Sequence, residues 1–133
     1  MITGLAHICF TVADLEASID FYGKKLGFKP AFDFINQEGK RFGIYLHMGG
    51  RNFIELFEGK PDQSSKNQSY KHICLEVDEI NATVAELSSQ GIEVSDAKMG
   101  SDNSWQAWLS DPDGNRIELH QYTPESKQSV SLK

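Results

Sequence analysis

The sequence predicts an α+β domain built from two βαβββ modules, and three observations carry that prediction. The run His7-Ile-Cys-Phe-Thr-Val12 returns 65 residues later as His72-Ile-Cys-Leu-Glu-Val77. The run Asn52-Phe-Ile-Glu55-Leu56 returns 63 residues later as Asn115-Arg-Ile-Glu118-Leu119. Between these anchors both copies pass through the same succession of strand and helix periodicities. Such a repeat is normally one supersecondary unit that buries its apolar face against its neighbour. A chain of 133 residues is long enough for one domain with a real core and too short for two full ones. The copies therefore read as halves of a single domain over residues 1–122, module 1 over about 4–58 and module 2 over about 70–122.

Residues 5–12 alternate as a strand, with Ile8, Phe10 and Val12 on one face and His7, Cys9 and Thr11 on the other. Asp14 is a good N-cap for the helix that follows. Leu15, Ile19, Tyr22 and Leu26 form its apolar stripe, and Gly27 is placed to end it. Strands are predicted around Phe28–Ile35, at Arg41–Met48 and at Asn52–Phe57, with Gly39 and Gly49-Gly50 at the turns. Residues 59–69 are polar, contain Pro61, and read as the linker between copies. The pattern then restarts with a strand at 71–77 and a helix striped by Ile80, Val84 and Leu87 and ended by Gly91. Strands at about 92–98, 104–110 and 115–122 complete the second copy, and Asp111-Pro-Asp-Gly-Asn115 joins the last two in a tight turn. Residues 123–133 form a polar tail without periodicity, expected to be mobile or loosely packed.

A net charge of −6 and a pI near 5.1 argue against nucleic acid, whose binding relies on Lys and Arg neutralising phosphates. No apolar stretch approaches the roughly 18 residues of a membrane span. The opening Met1-Ile-Thr-Gly4 lacks the charged and apolar regions of a signal peptide, which predicts a cytoplasmic protein. Cys9 and Cys74 hold equivalent places in the two copies, each on the same strand face as its histidine. They read as small buried hydrophobes, reduced in the cytosol, with soft metal ligation as the alternative.

The chemistry lies in the duplicated polar residues. Glu55 shares a face with Phe53 and Phe57, and Glu118 with Arg116 and His120, each opposite a strongly apolar, core-facing set. An unpartnered carboxylate among such residues is costly. Any one of the four, read singly, is a solvated residue on the open face of a sheet. Duplication of both residue types at matched offsets favours a ligand set of His7, Glu55, His72 and Glu118, suited to one divalent ion such as Ni, Co, Zn, Mn or Fe. His120 reads as a solvated strand-end residue, with a partner or acid role beside Glu118 as the alternative. His47 has the same bland reading. Trp105 and Trp108 read as core or rim packing, with a place in a substrate wall also open.

These features together resemble the vicinal oxygen chelate superfamily, which includes glyoxalase I, fosfomycin resistance proteins, methylmalonyl-CoA epimerase and extradiol dioxygenases. The resemblance covers residues 4–122. It is carried by His7, by Asp14-Leu-Glu-Ala-Ser-Ile-Asp-Phe-Tyr22 with Leu26-Gly27-Phe28, by His72, and by Asp111-Pro-Asp-Gly-Asn-Arg-Ile-Glu118-Leu119. It implies two paired βαβββ modules forming a curled sheet around a metal site, commonly as a homodimer. Within the superfamily, the ligand order His7, Glu55, His72, Glu118 is similar to glyoxalase I. Epimerases usually carry Gln where Glu55 stands, and dioxygenases and fosfomycin-modifying enzymes use three ligands, here His7, His72 and Glu118.

The implied reaction is isomerisation of a 2-oxoaldehyde–thiol hemithioacetal to a 2-hydroxyacyl thioester. One glutamate, by analogy Glu118, would be the base, with Glu55 serving the other face; the two roles stay interchangeable at this level. The positions where bacterial glyoxalase I grips the glutathione carboxylates with Arg and Asn are matched by Thr11 and Gly59, which leaves the thiol open. An iron-dependent extradiol-type dioxygenase and a non-catalytic small-molecule (drug) binder are the alternative functions.

Overall fold

In a computed structural model, residues 1, 3–62, 69 and 71–133 are described, and the chain divides into two compact units, Met1–Lys66 and Asn67–Lys133. Most of the predicted linker, residues 63–68, lies outside the described residues.

In the first unit, β1 (His7–Val12) is followed by α1 (Leu15–Ile19), a π-helical continuation (Asp20–Lys25), and strands β2 (Lys29–Ile35), β3 (Arg41–Gly49) and β4 (Asn52–Glu58). Asp14 caps α1 as its sequence promised, its carboxylate accepting from the Ala17 N–H at 3.0 Å. The π-helical turn alters the predicted stripe. The Leu26 N–H reaches back five residues to the Phe21 carbonyl at 2.9 Å, so the adjacent Phe21 and Tyr22 both turn inward. Ile19 and Leu26, predicted for the core, are only half-buried. Gly27 then ends the helix at φ +81°, a conformation open to glycine at little cost.

The sheet order is β1-β4-β3-β2, with β1 and β4 parallel and the remaining pairs antiparallel. Phe10, Val12, Ile44, Leu46, Ile54 and Leu56 form one buried face beneath Leu15, Phe21 and Tyr22. The alternate residues, among them Cys9, Tyr45, Phe53, Glu55 and Phe57, therefore share the opposite face.

The second unit repeats this plan with β5 (Ile73–Glu76), α2 (Ile80–Ser89), β6 (Lys98–Met99), β7 (Trp105–Ser110) and β8 (Arg116–Gln121), in the order β5-β8-β7-β6. Again the first and last strands of the module pair in parallel. Ile73, Leu109, Ile117 and Leu119 bury one face together with Ile80 and Leu87 of α2. The architecture is thus two four-stranded mixed sheets with a few helices, an α+β fold, as predicted.

Two segments depart from expectation. The strand predicted at 92–98 shrinks to a two-residue β6 and an isolated Val94–Leu109 bridge. Here Ser95 replaces a ladder bond with a side-chain bond, its Oγ accepting from the Trp108 N–H at 2.9 Å while its own N–H donates to the Trp108 carbonyl. The tail is not loose. It forms α3 (Lys127–Ser131), and Ser126 before it is fully buried. No helix among the described residues is long and apolar enough to cross a membrane.

Candidate metal centre

Glu118 is the best defined of the predicted site residues. β8 places it on the face opposite Ile117 and Leu119, yet it is only 7% exposed. Its Oε2 lies 3.1 Å from His72 Nε2, and its Oε1 lies 3.1 Å from His120 Nδ1. The adjacent Cys74, register partner of Glu118 across the parallel β5–β8 pair, also hydrogen-bonds to the carboxylate. Burial first, and the Glu118 charge second, push the Cys74 thiol up to about 12. Three polar side chains thus surround one buried carboxylate, which is how such a group tolerates removal from water. Trp108 stands edge-on to His72 with ring centres 5.0 Å apart, and the Arg116 guanidinium covers the Trp108 ring at 4.3 Å.

The first unit repeats the arrangement in part. Cys9 is the register partner of Glu55 across β1–β4, and Tyr45 is its partner across β3–β4. The Tyr45 hydroxyl donates towards Glu55, and this bond is the main cause of its upward shift in pKa. Cys9 is raised first by burial and then by its bond to Glu55. His7, at the start of β1, is exposed and packs its ring 5.4 Å from that of Tyr45. So His72 and Glu118 are in direct contact, whereas Glu55 is held by Cys9 and Tyr45 and His7 leans on Tyr45.

The donor chemistry fits a divalent ion. An imidazole nitrogen and a carboxylate oxygen about 3 Å apart match two neighbouring ligands on one dication at bond lengths of about 2.1 Å. His72 and Glu118 would serve in this way, and Cys74, Glu118 and His120 present ligand atoms within 4.8 Å of one another.

Several readings change here. The cysteines are not disulfide-bonded and not core hydrophobes: each residue is exposed overall, with its thiol tucked against a carboxylate, because the strand alternation that points His7 away from the core does the same for Cys9 and Cys74. His120 is not solvated. It is 5% exposed, since β8 runs on to Gln121 and the loop bearing Asp102 covers it, with Asp102 Oδ2 at 3.4 Å from His120 Nε2. A hydrogen bond from Gln128 holds the Asp102 carboxyl below the usual carboxylate range. His47 has the bland role expected, its Nε2 lying 3.0 Å from the Gly50 carbonyl in the adjoining turn. Trp105 is exposed at the rim and Trp108 is half-buried. Thr11 and Gly59 adjoin each other: a Cβ placed on Gly59 would come within 2.8 Å of Thr11 Cγ2.

A curated model of the glyoxalase/bleomycin resistance protein/dioxygenase superfamily matches residues 4–119, and the chain belongs to that superfamily. It is 32% identical over 123 residues to a lactoylglutathione lyase of Escherichia coli O157:H7, across 86% of this chain and 90% of that protein. It is 29% identical to the metallothiol transferase FosB of Staphylococcus epidermidis, across 90% of this chain and 82% of that protein. The structure of TnmS3, an antibiotic binding protein from Streptomyces sp. CB03234, superposes with a TM-score of 0.75 at 28% identity, covering 92% of this chain and 98% of that one.

Proposed function

We propose that this chain is a metal-dependent lyase or isomerase of glyoxalase I type. It would convert a hemithioacetal of a 2-oxoaldehyde and a thiol into a 2-hydroxyacyl thioester. His7, Glu55, His72 and Glu118 are the proposed ligands of one divalent ion, drawn as one His and one Glu from each repeat. The observation that carries this reading is the buried Glu118 carboxylate at 3.1 Å from His72 Nε2, with Glu55 at the equivalent strand position of the other copy. The lyase relative at 32% identity supports it.

The bound dication would supply Lewis acidity towards the negative charge that develops on two vicinal oxygens. One glutamate removes the proton from the carbon bearing sulfur and returns it to the neighbouring carbon, while the hydroxyl proton passes to the other oxygen. Atoms and electrons balance within the substrate, and no oxidant is needed. Thr11 and Gly59 offer no charge to the carboxylates of glutathione, which favours another thiol. The proposed partners are this small-molecule substrate and a second copy of the chain.

A second reading, a non-catalytic binder of small molecules, is favoured by the rings that share the face of Glu55. Phe32 stacks on Tyr45 at 4.6 Å, and Phe34 meets Phe57 at 5.0 Å, with Phe32 largely exposed. Aromatic walls of this kind suit flat apolar ligands. Elemental analysis of the purified protein separates the readings. Stoichiometric nickel, cobalt or zinc, with turnover of methylglyoxal and a thiol, is the expected result. Bound iron without that turnover would favour the dioxygenase, and no metal after incubation with all three would favour the binder.

A further inference from the structure

The contacts around Glu118 continue outward to the end of the chain. Behind the carboxylate stands His120, and behind His120 stands Asp102. His120 Nε2 lies at ion-pair distance from Asp102 Oδ2 but without the alignment of a hydrogen bond. Asp102 sits in the loop before β7 and is fastened by the tail. Gln128 Nε2 donates to its Oδ2 at 2.7 Å, and the Lys127 N–H donates to its carbonyl at 2.8 Å. The next residue, Asn103, holds a left-handed φ of +64°, a conformation that Asn tolerates but which needs support from its surroundings. That support also comes from the tail: Thr123 Oγ1 and Ser126 Oγ both donate to the Asn103 carbonyl, at 2.8 and 3.0 Å. Ser104 Oγ donates to Ser126 Oγ at 2.8 Å, with both residues fully buried.

We propose that His120 is a positioning residue for Glu118, and that the C-terminal segment from Thr123 to Ser131 sets its position through Asp102. The physical case rests on rotamer restriction. A glutamate has three rotatable side-chain bonds, and a ligand that must be ordered on binding loses affinity by the cost of ordering it. The imidazole is itself confined by burial, by the Asp102 side chain packed 3.4 Å from its Nε2, and by the Tyr122 ring at a separation of 5.0 Å. It therefore presents Nδ1–H to one carboxylate oxygen and leaves the other facing His72. Such supporting contacts commonly govern metal affinity as strongly as the ligands do.

This inference rests on Glu118 being a metal ligand, so the test carries one readout with metal and one without. Zinc affinity of the full chain is measured by competition with a chromogenic chelator. The Glu118 side-chain carboxyl carbon resonance is followed in metal-free protein, assigned from Glu118→Gln. His120→Phe, which keeps a ring but no donor, is expected to weaken zinc binding about ten- to a hundredfold and to shift that resonance. His120→Gln, whose amide can still donate, is expected to restore most of both. Gln128→Ala, remote from the ligands, is expected to move both readouts in the same direction by less, and it keeps the test open if His120→Phe does not fold. Unchanged zinc affinity together with an unchanged resonance in His120→Phe, or in Gln128→Ala where the former does not fold, would overturn the proposal. If the wild-type chain binds no zinc, the competition is repeated with nickel and cobalt; where none of the three binds, the metal reading fails, and the metal-free resonance alone decides whether His120 orients Glu118.

Discussion

Cys74 stands directly opposite Glu118 in the parallel β5–β8 ladder, and its thiol bonds to that carboxylate. The same pairing recurs between Cys9 and Glu55. Each repeat thus sets a protonated thiol beside its carboxylate, which gives the carboxylate a donor but makes the thiol a poor nucleophile.

For Cys74 the consequence is a pH dependence of stability. Its pKa rises from an ordinary 9.0 to about 12 on folding, so the native state holds the proton more tightly than the unfolded chain does. The associated stability is fully present below pH 9 and is lost as pH rises from 9 towards 12. Urea unfolding across this range should show falling stability in the wild type and a flatter fall in Cys74→Ala. The same slope in both would show that the thiol contributes nothing to it.

Metal content should respond to the histidines of both repeats. His72→Ala removes a donor already 3.1 Å from Glu118, and His7→Ala removes its counterpart in the first copy. Each variant is expected to retain a small fraction of wild-type metal by elemental analysis. Full occupancy in both would sink the proposed ligand set.

The Asp111 turn should matter for stability and for the site together. Its buried carboxylate accepts from the Asp113 N–H, the Asn115 N–H and Asn115 Nδ2, at 2.8–2.9 Å. Asp111→Ala leaves these donors without their acceptor, at a cost of about 1–3 kcal/mol. Because β8 begins at Arg116, slackening this turn also loosens the start of the strand that carries Glu118. A chemical denaturation midpoint equal to wild type would contradict this.

Repetition and period-two alternation made the modules and the outward face of His7 and Glu55 legible in the sequence, whereas the parallel pairing of each module's first and last strands came only with the structure. Both signals are local or copied. What escaped depends on contacts distant along the chain. His120 looks solvated until the loop bearing Asp102, about 18 residues earlier in the chain, closes over it, and no local pattern announces that Gln128 will bond to Asp102. The π-helical turn escaped because a stripe read at the ordinary helical period cannot register an inserted residue, although two adjacent aromatics, Phe21 and Tyr22, were a visible hint. Ser95 defeated the predicted strand for a similar reason, since its hydroxyl competes with the backbone for the Trp108 N–H.

Glu55 and Glu118 should divide the work, because they are held differently. Glu118 is buried and contacted by His72, Cys74 and His120, so moving it breaks several interactions at once. Glu55 is half-buried and contacted by Tyr45 and Cys9, neither of which carries a positive charge. The less constrained carboxylate is better able to swing towards a substrate proton, which makes Glu55 the expected base and Glu118 the expected anchor. Glu55→Gln should therefore keep its metal and slow turnover by about 10²–10⁴-fold, the usual effect of losing a general base. Glu118→Gln should lose metal first, with turnover falling in proportion to occupancy. Elemental analysis alongside kcat, with methylglyoxal and several thiols as substrates, distinguishes the two. If Glu118→Gln keeps its metal and loses turnover while Glu55→Gln loses metal, the roles are reversed. If neither substitution slows the reaction, the proton is carried by another group.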